Sequence, residues 1–410
     1  MKIQYSVENL EKGMYVDELD RPWEGTPFLF QGFLIDSDAD LVLLRQHCKH
    51  VFVDDLQSKA DQALQDKLHA AVRGSTITTV VFQEWSGVDR LRETIKRGER
   101  VSAEARGRLT QFAAVTSIEN TEDMQQTRAA IGSLIEDITA DPKTSQWMRI
   151  LSDQDASIGQ HSVNTATLAV AFAADLGWDK QLQAIVGEGA MLHDVGMARV
   201  PPQVRQKPGK LDAAEYRLVK LHPGYGGKRL EGSDKFDPRI LEIVRHHHER
   251  LDGSGYPDGL KGGGISPWVQ VVSICDVYDS YTTLKPYRRQ VTPSAAMRRL
   301  TQRSIRHFDK NLVEKFIRSI GIYPLGSLVR LQNGAVGIIV ASDEKRRLHP
   351  TVLLVRTPDG ESELPRRVLN LASLDPGPVA QEHRIKEILD PEAEQVDVRG
   401  ILRQELQLLH

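Results

Sequence analysis

The side chains of this sequence best suited to chemistry are five histidines and two aspartates between residues 160 and 276. They occur in the order His161, His193-Asp194, His222, His247-His248 and Asp276. Neutral imidazole nitrogens and carboxylate oxygens are good ligands for divalent iron, manganese, zinc or nickel, and one carboxylate can bridge two such ions. The whole chain has 13 histidines, so a chance collection on the surface is the alternative. The ordered pairs argue against chance and predict a metal site.

Helical patterns surround these residues. From 143 to 320, small and aliphatic residues recur at helical spacing, with almost none of the alternation typical of strands. An all-α bundle with ligands projecting inward from several helices is therefore expected. His193 and Asp194 end an apolar helical segment. Adjacent helical positions point about 100° apart, so His193 can serve one ion while Asp194 bridges two.

The bulk composition favours a multidomain protein with no polymeric nucleic acid as its partner. A length of 410 residues predicts two or three domains, and a net charge of −3 shows no basic footprint for nucleic acid. The first residues lack the apolar core of a signal peptide, and the apolar runs fall short of the ~18 residues needed to span a bilayer. The two cysteines, Cys48 and Cys275, give no disulfide framework. We therefore expect a cytoplasmic protein without a membrane segment.

Four regions are predicted, which together make a multidomain α+β fold. Residues 1–75 alternate like short strands around one helix and predict a small α+β domain. Residues 76–142 predict a charged helical connector, 143–320 the all-α catalytic bundle, and 321–410 a β-rich extension. The connector helices either pass a signal or form a dimer, or they simply pack onto the bundle; the sequence leaves both open.

Several segments resemble the HD-GYP family of bacterial phosphodiesterases, which hydrolyse the second messenger cyclic di-GMP. His193-Asp194 matches the HD signature, and HHERLDGSGYPDGL at 247–260 matches the second signature. Further likeness lies in LHDVGMARVP, KPGKLDAAEY, LHPGYGG and CDVYDSYTTLKPYRR, so the resemblance covers about residues 150–320. Residues 1–75, through GMYV and WEGTPFLFQGFLI, resemble a domain of unknown function that often precedes HD-GYP domains.

The resemblance implies a dinuclear site that hydrolyses cyclic di-GMP to pGpG, and it leaves open whether hydrolysis continues to GMP. Iron or manganese is favoured, and zinc or nickel also fits the ligands. The first ion is expected on His161, His193, Asp194 and Asp276, and the second on Asp194, His222, His247 and His248. His193 and Asp194 are the predicted catalytic pair. The expected nucleophile is metal-bound hydroxide oriented by Asp194.

Four further residues are predicted to contact substrate. Lys285 and Arg288 match basic positions that bind phosphate in the family, and Asp155 is placed to meet a guanine edge, with helix capping as the alternative. Tyr256 in the GYP loop either positions substrate or forms a surface for signalling partners. Signalling proteins are expected at this loop or at the N-terminal domain, and the connector allows a homodimer.

The sequence departs from the family pattern at two positions. Ser157 stands where some members carry a glutamate that ligates a third metal, so two ions are expected. Met197 stands where many members carry lysine, which predicts slower turnover.

Two carboxylates beside the predicted ligands are expected to support the site. Glu249, next to His248, is expected to fix the tautomer of a ligand histidine or to form a surface salt bridge. Asp279 is expected to support the site from one turn beyond Asp276.

Three other functions compete with cyclic di-GMP hydrolysis. One is another HD-type hydrolase, acting on nucleoside triphosphates or guanosine tetraphosphate, which the GYP stretch disfavours. A second is a preference for cyclic GMP-AMP. The third is a sensor or adaptor that binds the nucleotide without turnover. A role in switching between biofilm and motility is implied by the resemblance alone.

Overall fold

The structure, a computed structural model, describes most of the chain as two compact units. One unit falls within Met1–Glu84 and Leu328–Ile388, the other within Trp85–Ser327 and Leu389–His410. The described residues are 2–12, 14–21, 33–35, 38–54, 88–114, 121–151, 158–231, 236–283, 291–304, 306–342, 346–364, 366–374 and 378–406. The predicted α+β class is confirmed. Asp155, Ser157, Lys285 and Arg288 lie outside the described residues.

The N-terminal part of the first unit is a four-stranded antiparallel sheet with one helix. The elements are β1 (Lys2–Ser6), β2 (Tyr15–Leu19), β3 (Phe33–Leu34), helix α1 (Asp38–His47) and β4 (His50–Asp54). The strand order is β1-β4-β2-β3. Alternate apolar side chains such as Val16, Val51 and Val53 are fully buried, which is what the period of two in the sequence predicts.

The rest of this unit is a five-stranded antiparallel sheet in the order β8-β7-β6-β5-β9. Its strands are β5 (Leu328–Leu331), β6 (Val336–Ala341), β7 (Thr351–Arg356), β8 (Val368–Asn370) and β9 (Ile385–Ile388). The first three were expected from their apolar runs. Strands β8 and β9 were not predicted, because β8 has only three residues and two of the four residues of β9 are exposed and charged.

The second unit is helical. Its helices are α2 (Val88–Ala114), α3 (Thr121–Ala140), α4 (Pro142–Leu151), α5 (Ile158–Asp175), α6 (Lys180–Leu192), α7 (Pro202–Arg205), α8 (Ala213–Val219), α9 (His222–Leu230), α10 (Pro238–His246), α11 (Pro267–Thr282), α12 (Pro293–Ser304), α13 (Lys310–Ile320) and α15 (Val398–Glu405). Helix α14 (Pro378–Glu382) belongs to the first unit. Along the described ranges, no helix combines the length and apolar character that crossing a bilayer requires.

The bounds of these helices follow from local chemistry. Asp179 caps α6 by accepting a hydrogen bond from the Leu182 backbone N–H at 2.8 Å, and aspartates likewise cap α8, α10 and α13. The helical pattern of residues 213–230 continues without interruption in the sequence, but the structure divides it into α8 and α9. Pro223 has no N–H to donate to the preceding turn, so it stands in the first turn of a new helix that begins at His222.

The connector helices pack into the same core as the bundle. Leu109 of α2 and Leu134 of α3 are buried in one apolar cluster with Leu168 of α5 and Met191 of α6. Packing onto the bundle, one of the two interpretations of this region, is therefore what the structure shows. It leaves signal transfer and dimer formation as predictions.

The C-terminal helix α15 also belongs to the helical unit. Leu402 is fully buried, and Arg403 Nη2 donates to the Leu151 carbonyl at 2.9 Å and to Glu99 Oε1 at 2.7 Å. The predicted β-rich extension over 321–410 therefore includes a helix that completes the helical unit.

Candidate metal centre

The HD pair lies in a turn that only glycine at position 196 allows. Helix α6 ends at Leu192, His193 keeps helical backbone angles, and Asp194 opens a short 3-10 turn over Val195–Arg199. A Cβ added to Gly196 would lie 2.0 Å from the His222 carbonyl oxygen, which is far inside van der Waals contact. The glycine thus lets the turn touch α9 and brings Asp194 beside His222.

Four other segments bring the remaining predicted ligands to this turn. His161 lies in the first half of α5, and His222 is the first residue of α9. His247 and His248 directly follow α10, and Asp276 lies in α11. His193, His222 and His247 are at most 1% exposed, so they are side chains of the bundle interior rather than of its surface.

Backbone carbonyls set the orientation of three imidazoles. In each, Nδ1 donates to the carbonyl of the residue three positions earlier, in the pairs His193–Ala190 at 2.6 Å, His222–Val219 at 2.7 Å and His247–Val244 at 3.0 Å. A carbonyl can only accept, so Nδ1 must carry the hydrogen. The lone pair of Nε2 is left free in all three rings, as a metal ligand requires.

A carboxylate does the same for the fourth imidazole. His161 Nδ1 lies 2.7 Å from Asp279 Oδ2, and His161 Nε2 lies 3.0 Å from Asp276 Oδ1. Asp279 is fully buried and also accepts a hydrogen bond from Thr283 Oγ1 at 3.0 Å. Asp279 therefore supports His161 from behind, which agrees with the supporting position expected for it.

The potential ligand atoms converge in two clusters that share the neighbourhood of Asp194. Within each cluster the atoms lie within 4.8 Å of one another; the members are Asp194, His222, His247 and His248 in one, and His161, His193 and Asp276 in the other. Asp194 Oδ1 is 3.1 Å from His222 Nε2, and Asp194 Oδ2 is 3.6 Å from His193 Nε2. One carboxylate thus directs an oxygen towards each cluster.

Two features of these clusters fit a bound cation. His222 Nε2 and His247 Nε2 are 3.2 Å apart, and both present lone pairs because their Nδ1 atoms hold the hydrogens. Two nitrogens at ~2.1 Å from one ion would be ~3.0 Å apart in an octahedral site and ~3.4 Å apart in a tetrahedral one. In addition, His193 Nε2 is buried and has no hydrogen-bond partner among the residues that the structure describes, a costly state that a metal ion relieves. The clusters can therefore hold metal ions.

The charges at neutral pH are also those of metal ligands. Burial, followed by repulsion from neighbouring imidazoles, lowers the pKa of His247 and of His248 well below 6.5. Burial alone would raise the pKa of Asp194, but His193 and His222 outweigh it and hold that pKa well below its usual range. The same balance, dominated by His161, lowers the pKa of Asp276. Neutral imidazoles and ionised carboxylates result.

The GYP loop is folded around one carboxylate. Glu249 is 2% exposed and accepts hydrogen bonds from the backbone N–H groups of Asp258, Gly259 and Leu260 at 2.7, 3.0 and 3.1 Å. The prediction that Glu249 contacts a ligand histidine or forms a surface salt bridge is therefore wrong. The loop folds back onto its own beginning, so that Gly255 has no room for a Cβ. A Cβ at this position would lie 2.4 Å from the backbone nitrogen of Arg250.

Tyr256 packs against His248, a member of the cluster of Asp194, His222, His247 and His248. Its ring stacks on His248 with centroids 4.7 Å apart and an angle of 30° between the planes. Burial raises the pKa of the Tyr256 phenol, as do the nearby Tyr216, Asp276 and Asp194. The centre of the Tyr256 ring is also 6.5 Å from that of His222, so Tyr256 lies beside the cluster that contains both histidines. The structure thus brings the seven predicted ligands and Tyr256 together.

Two residues near the site were not selected from the sequence. They are Lys220 and Tyr216: the Lys220 ammonium group makes cation–π contacts with the rings of both Tyr216 and Tyr256. Their only sequence signal is the position of Lys220 two residues before His222. His246, which precedes the His247-His248 pair, is 17% exposed, and its Nε2 lies 3.0 Å from Asp258 Oδ2.

This helical bundle with its His-Asp turn is the architecture of an HD-domain protein, and comparison with known proteins agrees. Residues 145–312 match the family described as HD domain, and residues 2–145 match a domain of unknown function, DUF3391. The chain is 32% identical over 375 residues to cyclic di-GMP phosphodiesterase PA4108 from Pseudomonas aeruginosa, which covers 89% of this chain and 88% of that protein. The chain belongs to the HD-GYP family, and the predicted resemblance is confirmed.

Two further relatives show how the similarity extends. The chain is 33% identical over 141 residues to 3'3'-cGAMP-specific phosphodiesterase 1 from Vibrio cholerae, a match that covers 34% of this chain and 32% of that protein. Among solved structures, Bd1817, an HDG"Y"P protein from Bdellovibrio bacteriovorus, is 18% identical with a TM-score of 0.47, over 77% of this chain and 98% of that one.

Proposed function

We propose that this protein is a metal-dependent phosphodiesterase that hydrolyses cyclic di-GMP to pGpG and further to GMP. The observation that carries the proposal is the pair of clusters joined by Asp194, in which three imidazoles are held by backbone carbonyls with their Nε2 lone pairs free. Such a site is built before any ligand arrives, as catalysis requires.

Two divalent ions fit this arrangement, with iron or manganese favoured. His161, His193 and Asp276 would hold one, His222, His247 and His248 the other, and Asp194 would contribute one oxygen to each. When bound, such ions supply Lewis acidity that activates water and neutralises charge on a phosphodiester. Both clusters have fewer than six protein ligands, so positions remain for water and a phosphate oxygen.

The protein's own groups hold this machinery in place. Asp279 keeps His161 Nε2 directed at Asp276, because its carboxylate accepts the Nδ1 hydrogen. The Tyr256 ring covers one face of His248 and so restricts the directions from which substrate and water approach. Tyr256 is thereby a candidate to position substrate. Asp155, Lys285 and Arg288 remain predicted substrate contacts.

The choice of cyclic di-GMP follows from how much of the chain each relative matches. PA4108, whose name states that substrate, matches nearly the whole length, including the N-terminal region. The relative named for 3'3'-cGAMP matches about a third of the chain at similar identity. Cyclic GMP-AMP is therefore the second candidate substrate.

The deciding experiment is turnover by the purified protein loaded anaerobically with Mn²⁺ or Fe²⁺. Cyclic di-GMP and 3'3'-cGAMP are supplied in parallel, and products are separated by chromatography. We expect metal-dependent release of pGpG and GMP and a higher kcat/KM for cyclic di-GMP. A higher kcat/KM for 3'3'-cGAMP would refute the choice of cyclic di-GMP and make 3'3'-cGAMP the proposed substrate. Nucleotide binding without product under every loading would point to a sensor.

The bridging role of Asp194 has its own test. Asp194→Asn keeps the size of the side chain but removes the charge shared by both clusters, so we expect bound metal and turnover to be lost while the helical circular dichroism spectrum stays. Asp359→Asn removes the same charge from an exposed position and should change neither. Full metal content in Asp194→Asn would exclude the bridge.

A further inference from the structure

Lys220 is a cation at the edge of the metal centre. It caps the C-terminal end of α8, and its Nζ lies 5.0 Å from the centre of the Tyr216 ring and 5.2 Å from that of Tyr256. Since Tyr256 stacks on His248 at 4.7 Å, Nζ is at most about 10 Å from the His248 ring. The Tyr256 ring thus contacts both this ammonium group and His248, a member of one of the two clusters.

The charge of Lys220 is held by aromatic faces rather than by a carboxylate. Within the part of the chain that the structure describes, no carboxylate oxygen lies within 4.0 Å of Lys220 Nζ. The neighbouring Lys207, by contrast, is paired with Glu215 at 2.6 Å. An ammonium group has three N–H donors, and ring faces attract it without accepting strong hydrogen bonds. Its donors therefore remain available to an anion.

The support of Lys220 is fixed before a ligand binds. The helix α8 begins with a capping box, in which Asp212 accepts from the Glu215 N–H at 2.9 Å and Glu215 accepts from the Asp212 N–H at 2.8 Å. Tyr216 and Lys220 are four residues apart on this helix and so share one face. The Lys220 N–H donates to the Tyr216 carbonyl at 3.0 Å.

We propose that Lys220 binds the second phosphodiester of the cyclic dinucleotide, the one that is not being cleaved, with Tyr216 and Tyr256 as its positioning residues. This rests on the proposed function. A cyclic dinucleotide carries two phosphodiesters, and while one is at the metal clusters the other must lie outside them. Lys220 places a positive charge within about 10 Å of the His248 ring, where that second negative charge needs a partner.

The proposal predicts a selective loss that depends on the number of phosphodiesters in the substrate. Lys220→Met keeps the length of the side chain and removes the charge. It should lower kcat/KM for cyclic di-GMP about tenfold or more, mainly through KM, because one hydrogen bond to a charged group is lost. Turnover of bis(4-nitrophenyl) phosphate, which has one phosphodiester, should stay within twofold. Lys220→Arg should restore most of the loss, and Lys228→Met, an exposed lysine of α9, should have no effect.

The aromatic support gives a second set of variants. Tyr216→Phe keeps the ring and should retain wild-type KM for cyclic di-GMP, whereas Tyr216→Leu should raise it, though less than Lys220→Met does. Equal losses on both substrates in Lys220→Met would show a general structural role and overturn the proposal, as would an unchanged KM.

Binding of a phosphorothioate analogue of cyclic di-GMP, measured by calorimetry, separates this inference from the proposed function. If the wild-type protein hydrolyses cyclic di-GMP but Lys220→Met binds the analogue as tightly as the wild type, the inference fails and the function stands. If the wild type binds without hydrolysis and Lys220→Met binds about tenfold more weakly, the function fails and the inference stands. Absence of binding and turnover in the wild type overturns both.

Discussion

Asp279 offers the sharpest test of how the metal centre is held. Its carboxylate is fully buried, lies 2.7 Å from His161 Nδ1, and is itself fixed by Thr283 Oγ1 at 3.0 Å. Asp279→Asn keeps the size of the group but removes its charge. Its amide can also rotate to present N–H to Nδ1, which would favour the tautomer whose Nε2 carries the hydrogen and cannot bind a metal ion.

The magnitude follows from this one contact. Loss of a carboxylate behind a ligand histidine typically weakens metal affinity or activity 10- to 100-fold, about 1.4 to 2.7 kcal/mol. We expect that loss for the cluster of His161, His193 and Asp276, and an unchanged affinity for the cluster of His222, His247 and His248. The two clusters should therefore fill at separate metal concentrations in the variant.

The assay is titration of the metal-free protein with Mn²⁺ against a competing chelator, with bound metal counted by mass spectrometry. Thr283→Val is the matched control for the surrounding structure, because it removes one hydrogen bond to Asp279 and leaves the contact with His161. Its effect should be several-fold smaller. Equal affinities in wild type and Asp279→Asn, with the fold intact, would refute the role given to Asp279.

Three further predictions concern the loop, the turn and the pH range. Glu249→Ala removes the acceptor of three backbone N–H groups, so the amide hydrogens of those loop residues should exchange at least tenfold faster by mass spectrometry; unchanged exchange would contradict the loop assignment. Gly196→Ala should destabilise the protein by about 3 kcal/mol in urea titrations, because its Cβ meets backbone. Gly107→Ala, a helical glycine with open space, should stabilise it by about 0.5 to 1 kcal/mol. In chelator, Tm should fall as pH drops below about 6.5, because unfolded His247 and His248 take up protons that the folded chain excludes; a constant Tm down to pH 5.5 would contradict this.

The membership of the two clusters could be predicted from the sequence because it depends on residue type and order, and the structure brings all seven predicted side chains together. His193-Asp194 and His247-His248 are adjacent pairs that a helix end can direct into one cleft, and an apolar run before Asp276 places that carboxylate inside the bundle. These features are local. The helices also depend on local signals, since aspartate caps and prolines set their bounds. The break before His222 was nevertheless not predicted, because the apolar pattern of residues 213–230 runs through Pro223.

The contacts of Glu249 and Lys220 could not be predicted from the sequence, because they are made with segments that only the fold brings next to these two side chains. Glu249 binds N–H groups nine to eleven residues further along the chain, and no side-chain pattern identifies backbone donors. Lys220 meets Tyr256 only because α8 and the GYP loop fold to the same place. The choice of tautomer in His193 is set by a carbonyl, which every residue has.

The packing of helix α15 limits how this protein can be truncated or recombined with its relatives. Helix α15 fills a position against α2 and α4, where Arg403 reaches both Glu99 and the Leu151 carbonyl and Arg92 donates to the Leu406 carbonyl at 2.6 Å. The helices that carry the predicted metal ligands therefore do not form a fragment that can be separated from the rest of the helical unit. A fragment cut at residues 145 and 312 would lose neighbours on both sides. A swap of the N-terminal region between relatives would replace part of the hydrophobic core, because Leu109 and Leu134 pack with Leu168 and Met191.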